Sequence, residues 1–94
     1  MKVYGYCRIS TSKQSMERQI RNIKLAYPDA VIVKETYTGT KIQGRKEFEK
    51  LLKIVSTGDT LVFDSVSRMS RTAQEGYEMY QKLYNQGVSL VFLK

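Results

Sequence analysis

The sequence predicts an α/β fold of three layers, with a mainly parallel sheet of four to five strands and helices on its faces. Short apolar or alternating segments are separated by longer segments in which apolar residues recur every three or four positions. These segments follow the order β-α-β-α-β-α-β, which favours parallel strands joined by crossover helices. A chain of 94 residues, 41% of them hydrophobic, is long enough for one such domain.

The first predicted strand and helix occupy the N-terminal third of the chain. Residues 2–7 alternate and are rich in aromatic and β-branched side chains, which is typical of a strand. Thr11 and Gln14 have the spacing of a capping box at a helix start. Pro28 ends this helix, and residues 30–34 form the second strand. The helix has one apolar stripe, formed by Met16, Ile20, Ile23 and Tyr27.

A loop and a second helix follow. Residues 36–44 show no periodicity and contain two glycines, which indicates a loop. Gly44 and Glu47 have the spacing expected at the start of the helix, and Gly58 is predicted at its C′ position. The apolar stripe of this helix is Phe48, Leu51, Leu52 and Val55.

The last third of the chain predicts a loop, a helix and two strands. Residues 65–71 are polar and are predicted to form a loop. Thr72 and Glu75 form a second capping box, and the helix after it runs to about Gln86, with Gly87 as its stop. The two strands are residues 60–64 and 88–93.

The composition favours a polyanionic partner and excludes several kinds of chemistry. Sixteen Lys and Arg against nine Asp and Glu give a net charge of +7, which favours nucleic acid, although a basic surface can also serve solubility alone. The absence of histidine excludes a Ser-His-Asp triad and removes the commonest zinc ligand. Neither a GxxxxGK[ST] loop nor GxGxxG is present. We expect no cofactor and no metal.

Cys7 and the lack of a long apolar segment indicate the cellular setting. A single cysteine cannot form an internal disulfide, which suits a reducing compartment. Cys7 lies within an apolar run, so we interpret it as a small buried hydrophobe. No signal peptide or membrane segment is visible in the sequence. We therefore expect a cytoplasmic protein.

Ligands of a parallel α/β sheet bind beside the carboxyl ends of its strands, next to helix N-termini. Arg68 and Arg71 are three residues apart and could grip one phosphate from one helix face, or they could simply be solvated. Ser10 is the candidate nucleophile there, since nearby guanidinium groups would stabilise charge on an attacked phosphorus. A helix cap is the alternative role for Ser10. The arginines expected at this edge are Arg8, Arg45, Arg68 and Arg71.

Several blocks of the chain resemble the resolvase/invertase family of serine site-specific recombinases. Residues 4–11 (YGYCRIST) resemble the Y-x-R-[VI]-S opening of the family, and residues 14–19 look like the helix that follows. The S-R-x-S-R form of the last block is more similar to transposon or phage-integrase members than to small resolvases. The later blocks, in the order of the family, are residues 38–40 with Arg45, residues 58–61 and residues 67–71.

The resemblance implies a catalytic mechanism. Ser10 would attack a DNA phosphodiester and form a 5′-phosphoserine link, leaving a free 3′-OH. Because the bond energy is kept in that link, rejoining would need neither ATP nor metal. Arg8, Arg68 and Arg71 would hold the scissile phosphate and its transition state.

The resemblance also implies supporting residues. Gln19 and Arg45 would position the phosphate or a loop, and Tyr6 would support the loop after the first strand. The family often has an acidic residue just before the first arginine of the late block, where this chain has Ser67. Three residues could orient arginines or relay protons in its place: Ser65, Ser67 or Asp64.

In this family the catalytic domain continues into a long dimerisation helix, and a DNA-binding domain follows. Residues 1–94 are therefore expected to be a catalytic domain truncated before both. The implied partner is double-stranded DNA at the nucleoid, with a homodimer and, in the active synaptic complex, a tetramer of the full-length protein. The alternative is a catalytically incompetent basic module that binds nucleic acid or partner subunits.

Overall fold

The computed structural model describes residues 1–9, 16–36, 45–70 and 72–93. Its strands are β1 (Val3–Ile9), β2 (Val31–Thr36), β3 (Thr60–Phe63) and β4 (Ser89–Phe92). Its helices are α1 (Glu17–Ala26), α2 (Lys46–Ile54), α3 (Val66–Met69) and α4 (Ala73–Asn85). The four described strands form one sheet in the order β2-β1-β3-β4, with every neighbouring pair parallel. The predicted fold class is confirmed.

None of the described helices is both long and apolar enough to cross a membrane.

Side chains of the sheet alternate between two apolar clusters, one on each face. On one face, Tyr4 and Tyr6 of β1 belong to a cluster with Phe48 of α2 and Leu83 of α4. On the other face, Cys7 belongs to a cluster with residues of α1. All eight apolar residues predicted for the stripes of α1 and α2 belong to these clusters. Helices therefore cover both faces of the sheet, which gives the predicted three layers.

Aromatic rings fill the α2 side of the sheet below the strand ends. The centroid of the Tyr6 ring lies 4.8 Å from that of Phe48 and 5.9 Å from that of Phe63. Phe63 stacks on Phe92 of β4 at 5.3 Å. Each buried ring contributes roughly 1.5–3 kcal/mol of transfer free energy, so this packing stabilises the carboxyl ends of β1 and β3.

Gly87 ends α4 as predicted. Its φ of 81° is left-handed, and the Val88 N–H donates to the carbonyl of Leu83 at 3.0 Å while the Gly87 N–H donates to that of Tyr84 at 3.0 Å. These two hydrogen bonds form a Schellman motif, which satisfies the last carbonyls of the helix.

Gly58 has a left-handed φ of 94°, but the prediction that it occupies the C′ position of α2 is wrong. The helix has its C-cap at Val55, whose backbone is already extended. Gly58 instead lies in the turn that enters β3. In that turn the Asp59 carboxylate accepts the N–H groups of Ser56 and Lys2, both at 3.0 Å, and these hydrogen bonds lower the pKa of Asp59.

The segment predicted as a polar loop, residues 65–71, contains the single-turn helix α3. The helix after it begins as expected, with Thr72 as N-cap, but the Thr72 side chain makes no capping hydrogen bond. Ser70 supplies the local contacts instead, since its hydroxyl donates to the Thr72 carbonyl at 2.8 Å and accepts the Thr72 N–H at 3.2 Å. The first capping box, at Thr11 and Gln14, lies outside the described residues.

Candidate active site

The carboxyl ends of β1 and β3 and the start of α2 bring together three of the four arginines predicted for this edge. Arg8 is the penultimate residue of β1, Arg68 lies on α3 just after β3, and Arg45 is the N-cap of α2. The Arg45 guanidinium donates to the Arg68 carbonyl at 3.1 Å, and the Arg68 guanidinium donates to the Arg8 carbonyl at 3.3 Å. Stretches far apart in the sequence therefore meet at the edge where the fold places ligands.

Arg8 is buried, and both its main chain and its side chain are held. Its N–H donates to the Gln19 side-chain oxygen at 3.0 Å, and its carbonyl accepts the Gln19 Nε2 at 3.0 Å. Its guanidinium Nη2 donates to the Ser67 carbonyl at 3.0 Å. Gln19 thus pairs with β1 as a neighbouring strand residue would, and it fixes the chain two residues before Ser10.

Arg68 is half-buried and carries a polar atom that lacks a partner among the described residues. Its Nη1 donates to the Arg8 carbonyl, while its Nε is buried and has no hydrogen-bond acceptor in the part of the chain that the structure describes. An unsatisfied buried donor costs about 1–3 kcal/mol. A phosphate oxygen beside this guanidinium would offset that cost, because charge-assisted hydrogen bonds are strong.

Arg45 is fully buried and holds α3 in place. Its Nη1 donates to the carbonyl of Met69 at 2.6 Å and to that of Arg68 at 3.1 Å. Carbonyls at a helix C-terminus carry partial negative charge, so a cation there is favourable. Of the two roles suggested by the resemblance, positioning a loop and positioning a phosphate, these contacts support the first.

Glu35 links β1, β2 and α2, a role that sequence reasoning missed. One carboxylate oxygen accepts the Tyr6 hydroxyl and the Phe48 N–H, both at 3.0 Å. The other accepts the Glu47 N–H at 3.2 Å, so a strand residue caps the first turn of α2. Burial, followed by the charge of Glu35, raises the pKa of the Tyr6 hydroxyl far above its usual value. The only sequence signal was a carboxylate at a strand end.

Asp64 and Asn22 form a second contact that the sequence did not reveal. The buried Asp64 carboxylate accepts the Asn22 Nδ2 at 2.8 Å. The other two candidates for the acidic role, Ser65 and Ser67, share a hydrogen bond of 2.8 Å between their hydroxyls on the exposed surface.

Cys7 is completely buried, as interpreted from its apolar surroundings. Burial, with a further contribution from the charge of Asp64, raises the pKa of its thiol to about 11. A thiol with that pKa is a poor nucleophile at neutral pH, since only the thiolate attacks.

Two predicted catalytic residues, Ser10 and Arg71, lie outside the described residues. Their convergence with Arg8 and Arg68 stays a prediction. The structure does bring together the residues predicted to support them: Tyr6, Gln19, Arg45 and Ser67 all contact the ends of β1, β2 or β3, or the α3 segment.

Residues 3–94 match the family model described as the resolvase N-terminal domain. The chain belongs to this family. The resolvase-family chain is 34% identical to the transposon Tn501 resolvase of Pseudomonas aeruginosa over 92 residues, which cover 96% of this chain and 46% of that protein. It therefore spans about half the length of the curated relatives it matches.

Solved structures agree with this assignment of the resolvase-family domain. A resolvase family site-specific recombinase from Streptococcus pneumoniae is 28% identical, with a TM-score of 0.74 over 99% of this chain and 72% of that one. A serine recombinase from Sulfolobus solfataricus shares the fold at 20% identity, with a TM-score of 0.82 over 100% of this chain and 71% of that one. The family resemblance predicted from the sequence motifs is confirmed.

Proposed function

We propose that this domain cleaves and rejoins DNA strands in site-specific recombination, with Ser10 as the nucleophile. The Ser10 oxygen forms a bond to the phosphorus of a DNA phosphodiester while the bond from phosphorus to the 3′ oxygen breaks. The serine loses its proton and the departing 3′ oxygen gains one. The product is a 5′-phosphoserine link and a free 3′-OH. A 3′-OH then attacks the same phosphorus and releases the serine, so the bonds balance without ATP or another cofactor.

The observation that supports this proposal is the Arg68 guanidinium at the end of β1, with its buried Nε–H directed at no acceptor among the described residues. In the proposal, Arg68 and Arg71 hold the scissile phosphate and stabilise the charge that builds on it during attack. Arg8 contributes a third guanidinium at the same edge, two residues before the nucleophile.

The remaining site residues act as positioning residues in this proposal. Gln19 holds the main chain of Arg8, and Arg45 holds the carbonyls of α3. Tyr6 supports the same edge through its hydrogen bond to Glu35. Ser67 presents its carbonyl to the Arg8 guanidinium. The contacts of Gln19, Arg45 and Ser67 restrict where the Arg8 and Arg68 guanidiniums can lie, and accurate placement accounts for much of the rate enhancement in phosphoryl transfer.

The partner in the proposal is double-stranded DNA, and the net charge of +7 supports it. Acting on DNA would place the protein at the nucleoid. We further propose that residues 1–94 are the catalytic part of a longer protein, which acts as a homodimer and assembles into a tetramer during strand exchange. The curated relatives, about twice the matched length, support the proposal of a longer protein.

The decisive experiment is a search for a covalent protein–DNA adduct. The intact protein is incubated with a library of random-sequence DNA in which sulfur replaces the bridging 3′ oxygens, because a 3′-thiol rejoins poorly and the adduct accumulates. We expect an adduct that survives denaturation in the wild type and is absent in Ser10→Ala. The matched control is Ser12→Ala, which retains it. An adduct that persists in Ser10→Ala would refute the nucleophile.

The same assay tests the arginines. Arg68→Ala is expected to lose more than ~2 kcal/mol of transition-state stabilisation, measured as the rate of adduct formation. Arg18→Ala is the matched control, since Arg18 is exposed on α1, and it should react at nearly the wild-type rate. Equal rates in the two variants would contradict a role for Arg68 in phosphate binding.

A further inference from the structure

Two side-chain amides of α1 reach the carboxyl ends of two neighbouring strands. Gln19 and Asn22 are three residues apart, so they lie on the same face of the helix. Gln19 binds both the N–H and the carbonyl of Arg8 on β1. Asn22 binds the carboxylate of Asp64, the residue directly after β3. Side chains of α1 therefore bind the carboxyl ends of both β1 and β3.

Asp64 is a buried carboxylate on an edge rich in arginine. It is 6% exposed, and Asn22 is its one hydrogen-bond donor among the described residues. Burial is the main cause of the raised pKa of the Cys7 thiol; the charge of Asp64 raises this pKa further and the charge of Arg68 lowers it, so both charges act on one buried sulfur. Leaving a buried carboxylate without its donor is costly, so the contact with Asn22 is a strong constraint.

The hydrogen bonds of Gln19, Arg68 and Asn22 form a closed circuit of contacts, here called the ring, around the site. Asp64 precedes Ser65, the N-cap of α3, and α3 carries Arg68. The Arg68 guanidinium donates to the Arg8 carbonyl, the same oxygen that accepts the Gln19 amide. The ring therefore runs from α1 to the end of β1, across Arg68 to α3, and back through Asp64 to α1.

We propose that Asn22 and Asp64 form a positioning pair, which holds the start of α3 against α1 so that Arg68 is presented at the end of β1. This inference rests on the proposed function, because it assigns the pair to the site that would bind the scissile phosphate. The pair acts through Arg68 and does not touch the phosphate itself.

The test uses a variant that breaks the hydrogen bond and one that rebuilds it. Asn22→Asp places two carboxylates together, so the donor is lost and the charges repel. The double variant Asn22→Asp with Asp64→Asn exchanges donor and acceptor, and it restores both the hydrogen bond and the net charge. Asn85→Asp is the matched control, since Asn85 is exposed at the end of α4.

The readout is the solvent exchange of the Arg68 Nε–H, measured by NMR on the 94-residue chain and assigned with Arg68→Lys. We expect this exchange to be at least about tenfold faster in Asn22→Asp than in the wild type at neutral pH. Tenfold is the ratio that corresponds to losing one buried hydrogen bond, here the bond between Asn22 and Asp64 that holds the start of α3. The exchanged pair and Asn85→Asp should match the wild type.

Two results would overturn the pairing: wild-type exchange in Asn22→Asp at neutral pH, or a folded double variant whose Arg68 stays unprotected. The double variant keeps the test valid even if Asn22→Asp unfolds. The adduct assay separates this inference from the proposed function. If no protein forms an adduct but the exchange rates follow the expected pattern, the positioning pair stands and the recombinase proposal fails.

Discussion

The Arg45 guanidinium donates to the main-chain carbonyl of Met69 at 2.6 Å, so the residue that begins α2 also holds the end of α3. The two residues are 24 positions apart in the chain. The same nitrogen reaches the Arg68 carbonyl at 3.1 Å. Arg45, which the family resemblance assigned to positioning either the phosphate or a loop, thus anchors the segment that carries Arg68.

Replacing Arg45 by lysine is expected to loosen α3 without removing the positive charge. A lysine ammonium lacks the planar fork of donors, so we expect a loss of about 1–2 kcal/mol in the free energy of unfolding, measured by urea denaturation. We also expect slower adduct formation. Arg21→Lys, at an exposed position of α1, is the control and should change neither quantity. Equal behaviour of the two variants would show that Arg45 does not hold α3.

The Tyr6 hydroxyl is predicted to make the protein sensitive to alkali. Its pKa is raised in the folded state, chiefly by burial, so its contribution to stability is present below about pH 10, the ordinary tyrosine pKa, and is lost as pH rises further. The unfolding free energies of wild type and Tyr6→Phe should therefore converge above about pH 10. Urea denaturation at a series of pH values checks this, and a constant gap would contradict it.

Alanine variants of Gly87 and Gly58 distinguish the effect of backbone strain on stability from that of a steric clash. Both glycines have left-handed φ angles, 81° and 94°, but a Cβ at Gly87 would lie 2.7 Å from Thr57 Cγ2, whereas one at Gly58 would lie 3.4 Å from the flexible end of Met1. Both alanine variants should lose roughly 1 kcal/mol or more from the backbone, and Gly87→Ala should lose more. Thermal unfolding measures the difference, and equal losses would show that Thr57 moves aside freely.

Much of the architecture could be predicted because its signals are local. The stripe from Phe48 to Val55 predicted the face of α2 that packs on the sheet, and Gly87 predicted the end of α4. Where a local signal was ambiguous, the prediction was wrong. Gly58 looked like a helix stop, but the backbone had already left the helix at Val55.

The contacts that hold the site were beyond such reasoning. Asn22 and Asp64 are 42 residues apart, and Tyr6 and Glu35 are 29 apart, so no periodicity relates them. Thr72 shows the same limit over a short range. The capping box predicted that the Thr72 hydroxyl would bind the backbone at the start of α4, but the hydroxyl that binds the backbone there is that of Ser70. These pairings depend on how neighbouring elements pack.

The order of apolar segments was enough to predict a parallel α/β sheet and the edge at which its ligands are expected, because strand periodicity and crossover handedness constrain the topology strongly. Only the tertiary structure decided which main-chain carbonyls the guanidiniums of Arg8, Arg45 and Arg68 bind. Side-chain hydrogen bonds join atoms within about 3 Å of each other, and the packing of α1, α2 and α3 against the strand ends sets those distances.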